Sequence, residues 1–435
     1  MFDTPTLWGL LPLLVFVVLV FRAWHPVAAI LMATSVGAVM SGASLLDVAS
    51  VTRSGLGSFL AYVGLIIMAG GGLGKIAERT GVAQYLVSIV MNRIGVKTKD
   101  RAIIGTMCSS TLLSGALGTL AGANAVVAPV IIPIVARIGL SSSAVAIIFQ
   151  GAGVTGLFLG PFTPPMITFM ELTGLSYFDV LLYASIPVSL VMWGVTYFYV
   201  KLTLPKTIIN HPYSQEDLAE LDSHDQTLLN PTRVKRATYV FIGTLAALIA
   251  YGIFIKGGST FAIVVITLTA ITTGLAGGLK TQELTETFFA GAMPLIWLFF
   301  QFVLFTPFIH YAQELGGFEA LKNFILPIIN SSGDTLLVAL TSITGIAGIP
   351  GAAVAQSVIL DEMFGQVFQQ SGLPISVYVL VLLIGSQMTE FLYPVGDTLG
   401  AMGIARSRDL KSMIIFGMLA TIAVLLFVII RSLFA

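Results

Sequence analysis

Stretches without a single Asp, Glu, Lys or Arg run through residues 54–74, 102–136, 138–170, 180–200, 257–279, 335–360 and 412–430. Each is long enough to enter or cross a hydrocarbon core about 30 Å thick, which takes about 20 helical residues. The pattern predicts membrane helices, and it predicts them twice. Gly55 is echoed by Gly291, and Ala77-Glu78-Arg79-Thr80-Gly81 by Ala312-Gln313-Glu314-Leu315-Gly316. Ala121-Gly122-Ala123 corresponds to Pro350-Gly351-Ala352, and Phe158-Leu159-Gly160-Pro161 to Phe391-Leu392-Tyr393-Pro394, at an offset of about 229 to 236 residues.

The basic residues of the two copies lie in opposite places. Residues 92–101 hold Arg93, Lys97, Lys99 and Arg101, whereas their counterpart, 327–334, holds no Lys or Arg. Residues 174–180 hold none, whereas their counterpart holds Arg406, Arg408 and Lys411. Cytoplasmic loops collect Lys and Arg, so equivalent loops are expected on opposite faces of a membrane. The expectation is an all-α polytopic membrane protein of two inverted-topology repeats, an architecture of many secondary transporters.

Each repeat is expected to contribute five spans. The first has spans over 7–21, 27–40 and 55–72, an interfacial helix over 82–94, a re-entrant hairpin with arms 102–118 and 125–137, a broken span over 143–173 and a span over 180–200. The second has spans near 237–255, 260–278 and 288–309, a hairpin over 335–370, a broken span over 375–403 and a last span over 412–430. Residues 1–204 form the first repeat, 205–236 a polar cytoplasmic linker and 237–435 the second repeat, with both termini outside. The linker carries Glu216, Asp217, Glu220, Asp222 and Asp225, framed by Lys206, Arg233, Lys235 and Arg236.

Broken backbone in a bilayer persists only where protein or a water-filled cavity surrounds it. Helix breakers concentrate at the two hairpin tips and the two broken spans, in matched positions of the copies. This predicts a central site where half-helix N-termini present N–H groups to an anion and freed carbonyls hold a cation. Substrate contacts are expected from Thr119, Gly122, Asn124, Thr155, Thr163, Pro164, Gly351, Gln356, Ser386 and Thr398. Charges deep in a membrane are costly and usually functional. Glu390 and Asp397, with Gly348 and Gly396 beside the breaks, are therefore expected to handle a coupling cation, with Asp397 as a Na⁺ ligand or a site of protonation. Asp361 and Glu362 are expected at an exposed helix end.

Composition narrows the alternatives. The 435 residues are 56% hydrophobic and 10% charged, with a mean hydropathy of +0.96 and a net charge of zero, which argues against a nucleic-acid partner. Cys108 stands alone, which leaves no disulfide framework and no cysteine metal site. No HExxH, GxSxG or paired His supports an enzyme, and no cofactor is expected beyond Na⁺ or H⁺ as coupling ion. Gly70-Gly71-Gly72-Leu73-Gly74-Lys75-Ile76 lacks the spacing and the Ser or Thr of a P-loop.

Three sets of residues carry a family resemblance: Gly81-Val82-Ala83 after Glu78, the run Gly160–Pro165 with Thr173-Gly174-Leu175-Ser176 behind it, and Pro394-Val395-Gly396 followed by Gly403-Ile404-Ala405. They resemble the large membrane subunit of TRAP transporters and, more broadly, the ion transporter superfamily with its dicarboxylate carriers and NhaC-type Na⁺/H⁺ antiporters. The resemblance implies an elevator-type carrier coupled to Na⁺ or H⁺, moving a small carboxylate across the plasma (bacterial inner) membrane, as a homodimer or with an accessory membrane subunit. A Na⁺/H⁺ antiporter and a TRAP-type subunit dependent on a binding protein are the alternatives.

Overall fold

The computed structural model describes residues 5–22, 24–218, 230–255, 257–348, 353–393 and 396–434. Among them all regular structure is helical, and nine helices are long and apolar enough to cross a membrane. In chain order the helices are α1 (Leu7–Phe21), α2 (Pro26–Ser41), α3 (Leu45–Gly55), α4 (Phe59–Arg79), α5 (Val82–Ile94), α6 (Lys99–Leu117) and α7 (Leu120–Ile138). Then come α8 (Ser142–Gly151), α9 (Gly153–Leu159), α10 (Pro164–Thr173), α11 (Tyr177–Asn210), α12 (Pro231–Phe254), α13 (Ala262–Gly277), α14 (Thr281–Ala292) and α15 (Ile296–Glu314). The chain closes with α16 (Gly317–Ser332), α17 (Asp334–Ile346), α18 (Ala353–Ser371), α19 (Ile375–Gln387), α20 (Thr389–Leu392), α21 (Asp397–Ile404) and α22 (Leu410–Ser432). The hairpin arms, the broken spans and most span limits fall where the sequence places them; part of the second hairpin tip (349–352) and of the second break (394–395) lies outside the described residues.

The turn between α6 and α7 shows how locally these breaks are written. Gly118 takes a left-handed conformation (φ 69°) that ends α6, and Thr119 is extended (φ −138°, ψ 137°), so two residues reverse the chain. Elsewhere the structure adds to the expectation. Leu45–Gly55 is a helix, started by a capping box in which Ser44 and Asp47 satisfy each other's backbone N–H groups. The polar stretch 205–236 is helical at both ends, because α11 runs through Pro205 to Asn210 and Asn230 caps α12 by accepting from the Thr232 N–H at 3.0 Å. Asp361 and Glu362 lie in the middle of α18 and not at a helix end, since that helix continues to Ser371 before Gly372 turns left-handed (φ 77°).

The chain forms two compact units. One comprises Met1–Ile66, Leu295–Thr389 and Leu425–Ala435. In it α15 packs on α2 and α3, and the hairpin arms α17 and α18 pack on α19. Phe16 meets Phe305 and Phe308 with ring centroids 5.7 and 5.5 Å apart. Where lipid is as apolar as the side chains, association rests on such close fit and on small residues. Accordingly, a Cβ on Gly55 would lie 2.6 Å from the Val303 carbonyl oxygen of α15, and one on Gly345 would lie 2.4 Å from Cα of Gly385.

The other unit comprises Ile67–Pro294 and Glu390–Val424. Here α6 packs on α7 and α9, α11 on α8, α12 on α13, and α21 on both α7 and α8. A Cβ on Gly291 would lie 2.3 Å from the Gly71 carbonyl oxygen of α4, and one on Gly156 would lie 2.3 Å from the Thr111 carbonyl oxygen and 2.7 Å from the Gly115 nitrogen. The glycine crossings of the two units therefore correspond position by position: Gly115 with Gly345, Gly156 with Gly385 and Gly55 with Gly291. Their separations, 230, 229 and 236 residues, fall within the repeat offset read from the sequence.

Candidate functional site

The first hairpin contributes an uncapped helix N-terminus. Thr119 is the N-cap of α7, but its hydroxyl makes no capping bond, so the first-turn N–H groups lack both an intrahelical partner and the one an N-cap side chain supplies. Thr119 is half-buried, while Ala121 and Gly122 are exposed. Gly122 leaves room for Thr119, whose Oγ1 would lie 2.5 Å from a Cβ at that position. The arrangement is suited to an anion, since free N–H groups and the helix dipole both favour negative charge there.

Beside it lies the N-terminus of α21. Gly396, exposed and left-handed (φ 51°), is its N-cap without a side-chain bond, and half-buried Asp397 stands in its first turn. The first turns of α7 and α21 adjoin: Cβ of Ala121 is 4.0 Å from where a Cβ on Gly400 would sit. Thr398, 4% exposed, donates its hydroxyl to the Glu390 carbonyl and closes the second break from behind. Glu390 is itself buried. One carboxylate-bearing turn and one open anion-attracting turn thus share a compact unit.

The first broken span is satisfied internally. The Thr163 hydroxyl turns back to the carbonyls of Leu157 (2.5 Å) and Gly160 (2.9 Å), at the end of α9. Pro164 and Pro165 occupy the first turn of α10 and supply no N–H. This break therefore offers few donors, unlike the start of α7. Upstream, Thr155 and Thr111 both donate to the Ala152 carbonyl, at 2.6 and 2.7 Å, where α8 gives way to α9. Thr155 also accepts from the indole N–H of Trp193 at 2.9 Å.

Asn124 is fully buried and ties elements together. Its Oδ1 accepts from Ser110 at 2.6 Å, and its Nδ2 donates to the Phe149 carbonyl at 3.3 Å. Gln150, on α8, is 1% exposed, and neither its Oε1 nor its Nε2 has a hydrogen-bond partner among the described residues. Ser110, Thr111 and Trp193 were not anticipated as part of these networks. A Trp in an apolar span is itself a signal, because a buried indole N–H seeks an acceptor. Ser110 and Thr111 carry no such local mark.

The remaining candidates belong to the other unit. The Gln356 amide lies against Gly348, where a Cβ would come within 2.4 Å of Nε2. Ser386 is buried and donates to the Leu382 carbonyl at 2.7 Å. Thr389, also buried, donates to the Gly345 carbonyl at 3.1 Å. Asp361 accepts from the Tyr378 hydroxyl, and Glu362 from Gln313 Nε2 at 2.6 Å. Gly351 lies outside the described residues, as do Pro350, Pro394 and Val395. No group of three or more His, Cys, Asp or Glu able to hold a metal ion occurs among the described residues.

The family model CitMHS, citrate transporter, matches residues 13–301. No curated protein matches the chain. Among solved structures, MtrF of Neisseria gonorrhoeae, described as illuminating a class of antimetabolite efflux pumps, is similar with a TM-score of 0.58 at 16% identity, covering 94% of each chain. That likeness is one of fold.

Proposed function

The chain belongs to the citrate transporter family CitMHS, and on that premise we propose that it is a secondary carrier of citrate-like carboxylates, coupled to Na⁺ or H⁺ and working by alternating access. The observation that carries this reading is the adjacency of the open first turn of α7 to the Asp397 turn of α21. In it, the N–H groups of residues 120–122 hold a carboxylate of the substrate, Gly122 allows close approach, and Asp397 holds the coupling cation.

Electrostatics requires the cation. A helix N-terminus is worth about half a positive charge, while fully ionised citrate carries three negative charges and Asp397 adds a fourth. Helices α6–α10 and α19–α21 carry Lys or Arg only at Lys99, Arg101 and Arg137, each within three residues of a helix end. Moving so much uncompensated negative charge through a low-dielectric layer is prohibitive, so the substrate travels partly protonated or with bound cations. Coupling follows if substrate and cation each stabilise the same loaded state.

The opposite placement of basic loops and the matched glycine crossings support two inverted repeats, with the linker cytoplasmic and both termini outside. An elevator-type movement in the plasma (bacterial inner) membrane, in a homodimer or with an accessory subunit, belongs to the same proposal. The test is labelled citrate uptake by the purified chain in proteoliposomes under imposed Na⁺ or proton gradients, with Asp397→Asn alongside. Gradient-driven uptake lost in the variant supports the reading. Na⁺-driven proton movement without organic anion would replace it with a Na⁺/H⁺ antiporter, and uptake only with an added binding protein would replace it with a TRAP-type subunit.

A further inference from the structure

The C-terminal end of α21 is held by a segment nearly 200 residues earlier in the chain. After α11 ends at Asn210, the His211 carbonyl accepts from both the backbone N–H and the hydroxyl of Ser142, each at 3.2 Å, which pins the chain to the start of α8. His211 Nε2 lies 3.4 Å from Asp409 Oδ2. Three residues on, Ser214 and Asp217 form a closed turn in which Asp217 Oδ2 accepts from the Ser214 N–H and hydroxyl. The other oxygen of Asp217 accepts from the Arg406 guanidinium at 3.3 Å. Asp409, 9% exposed, also accepts from the Ser143 hydroxyl at 2.9 Å and the Ser412 N–H at 3.1 Å.

Arg406 makes this arrangement unusual. It follows the C-cap of α21, the Ser407 N–H returns to the Met402 carbonyl, and the Arg406 N–H returns to the Gly403 carbonyl. That is a Schellman ending, whose left-handed position is ordinarily Gly. Arg406 is the only described non-glycine residue with positive φ (55°). A strained backbone position persists where surrounding structure determines it, and here its side chain reaches the linker.

We propose that residues 211–217 are a strap that positions α21 through Asp217–Arg406 and His211–Asp409. Helix α21 is eight residues, about 12 Å, long, so fixing its C-terminal end fixes the Asp397 turn at the other. The inference rests on the cation role proposed for Asp397 only for its consequence in transport; the docking is separate. The other ionisable groups around the pair are Tyr199 of α11, whose hydroxyl donates to the Ser412 carbonyl at 2.9 Å, Tyr213, and the Asp217–Arg406 couple. Arg408 and Lys411 flank Asp409 in sequence, and Lys206 precedes His211 on α11.

The test is hydrogen exchange by mass spectrometry on the full chain in nanodiscs. In His211→Gln residues 211–218 and 397–404 exchange about threefold or more faster than in the wild type. Arg406→Gly separates strap from cap: it relieves the backbone strain, so a purely local role leaves 397–404 as protected or more so, whereas the strap predicts faster exchange in both segments. Unchanged protection of 397–404 in both variants, with α12 and α13 protected as in the wild type, overturns the proposal. Citrate uptake measured alongside distinguishes this from failure of the transport reading, since the exchange result stands whether or not citrate is carried.

Discussion

The glycine crossings yield a prediction that differs sharply among four neighbouring substitutions. Alanine at Gly156 puts Cβ 2.3 Å from the Thr111 carbonyl oxygen and 2.7 Å from the Gly115 nitrogen, both backbone atoms. Alanine at Gly345 puts it 2.4 Å from Cα of Gly385. Neither contact is relieved by turning a side chain, so two helices must separate by about 1 Å, and overpacking of this kind costs about 1–3 kcal/mol or more. The partners behave differently. At Gly115 the nearest atom is the Gly156 carbonyl oxygen at 3.0 Å, which a shift of a few tenths of an ångström relieves. At Gly385 the close neighbour is Cδ1 of Leu360 at 2.7 Å, the end of a flexible side chain, with backbone only at 3.4 Å. Alanine also gains up to about 1 kcal/mol over glycine inside a helix. Gly156→Ala and Gly345→Ala should therefore lower the apparent melting temperature in detergent by several degrees. Gly115→Ala and Gly385→Ala should stay near the wild type, as should Gly194→Ala, which meets nothing within 4 Å. If Gly115→Ala and Gly385→Ala fall as far as their partners, the crossings are not arranged as described and the position-by-position correspondence of the hairpins fails with them.

Three further outcomes are expected. Gly122→Val crowds Thr119 and the first turn of α7, so KM for citrate in proteoliposomes should rise about threefold to thirtyfold, the worth of an anion at a helix N-terminus, while expression and melting temperature hold; an unchanged KM would remove this turn from the site. Thr163→Val strands the Leu157 and Gly160 carbonyls and should cost about 1–3 kcal/mol, with Thr163→Ser close to wild type in thermal unfolding; equal loss in both variants would count against the capping role. For Asp409, burial raises the carboxyl's pKa, but hydrogen bonds from Ser412 and Ser143 and the charge on His211 outweigh it, so the net direction is down from 3.8. A carboxyl lowered in the folded state stabilises above its unfolded value and ceases to do so as pH falls through the folded one. The wild type should lose stability below about pH 4, and Asp409→Asn should lack that part of the acid dependence in melting curves from pH 3 to 7.

Much of this protein is legible along the chain because the forces that place its helices act locally. A charge-free stretch is costly to leave in water and cheap to bury in lipid, so 102–136 and 138–170 announce themselves. Gly118 and Gly139 end α6 and α7 with left-handed turns that a reader of residues alone can place. The offset linking Gly115 with Gly345 and Gly156 with Gly385 is a property of sequence order. The membrane-transporter class, and with it the absence of an enzyme's chemistry, was likewise within reach, while the citrate family came from comparison.

Tertiary structure decided what each polar side chain does, because hydrogen-bond partners lie far apart along the chain. Asn124 and Thr119 look alike as candidates at one hairpin tip, yet Asn124 spends its amide on Ser110 and Phe149 while Thr119 leaves its turn open. Thr155 finds Trp193 across 38 residues, and Asp217 finds Arg406 across 189. Thr163 caps the helix behind it and not the one it begins. Hydropathy and helix propensity are sums over neighbours in sequence, so they place elements. Satisfaction of a buried polar atom is a condition on neighbours in space, which only the packed chain supplies.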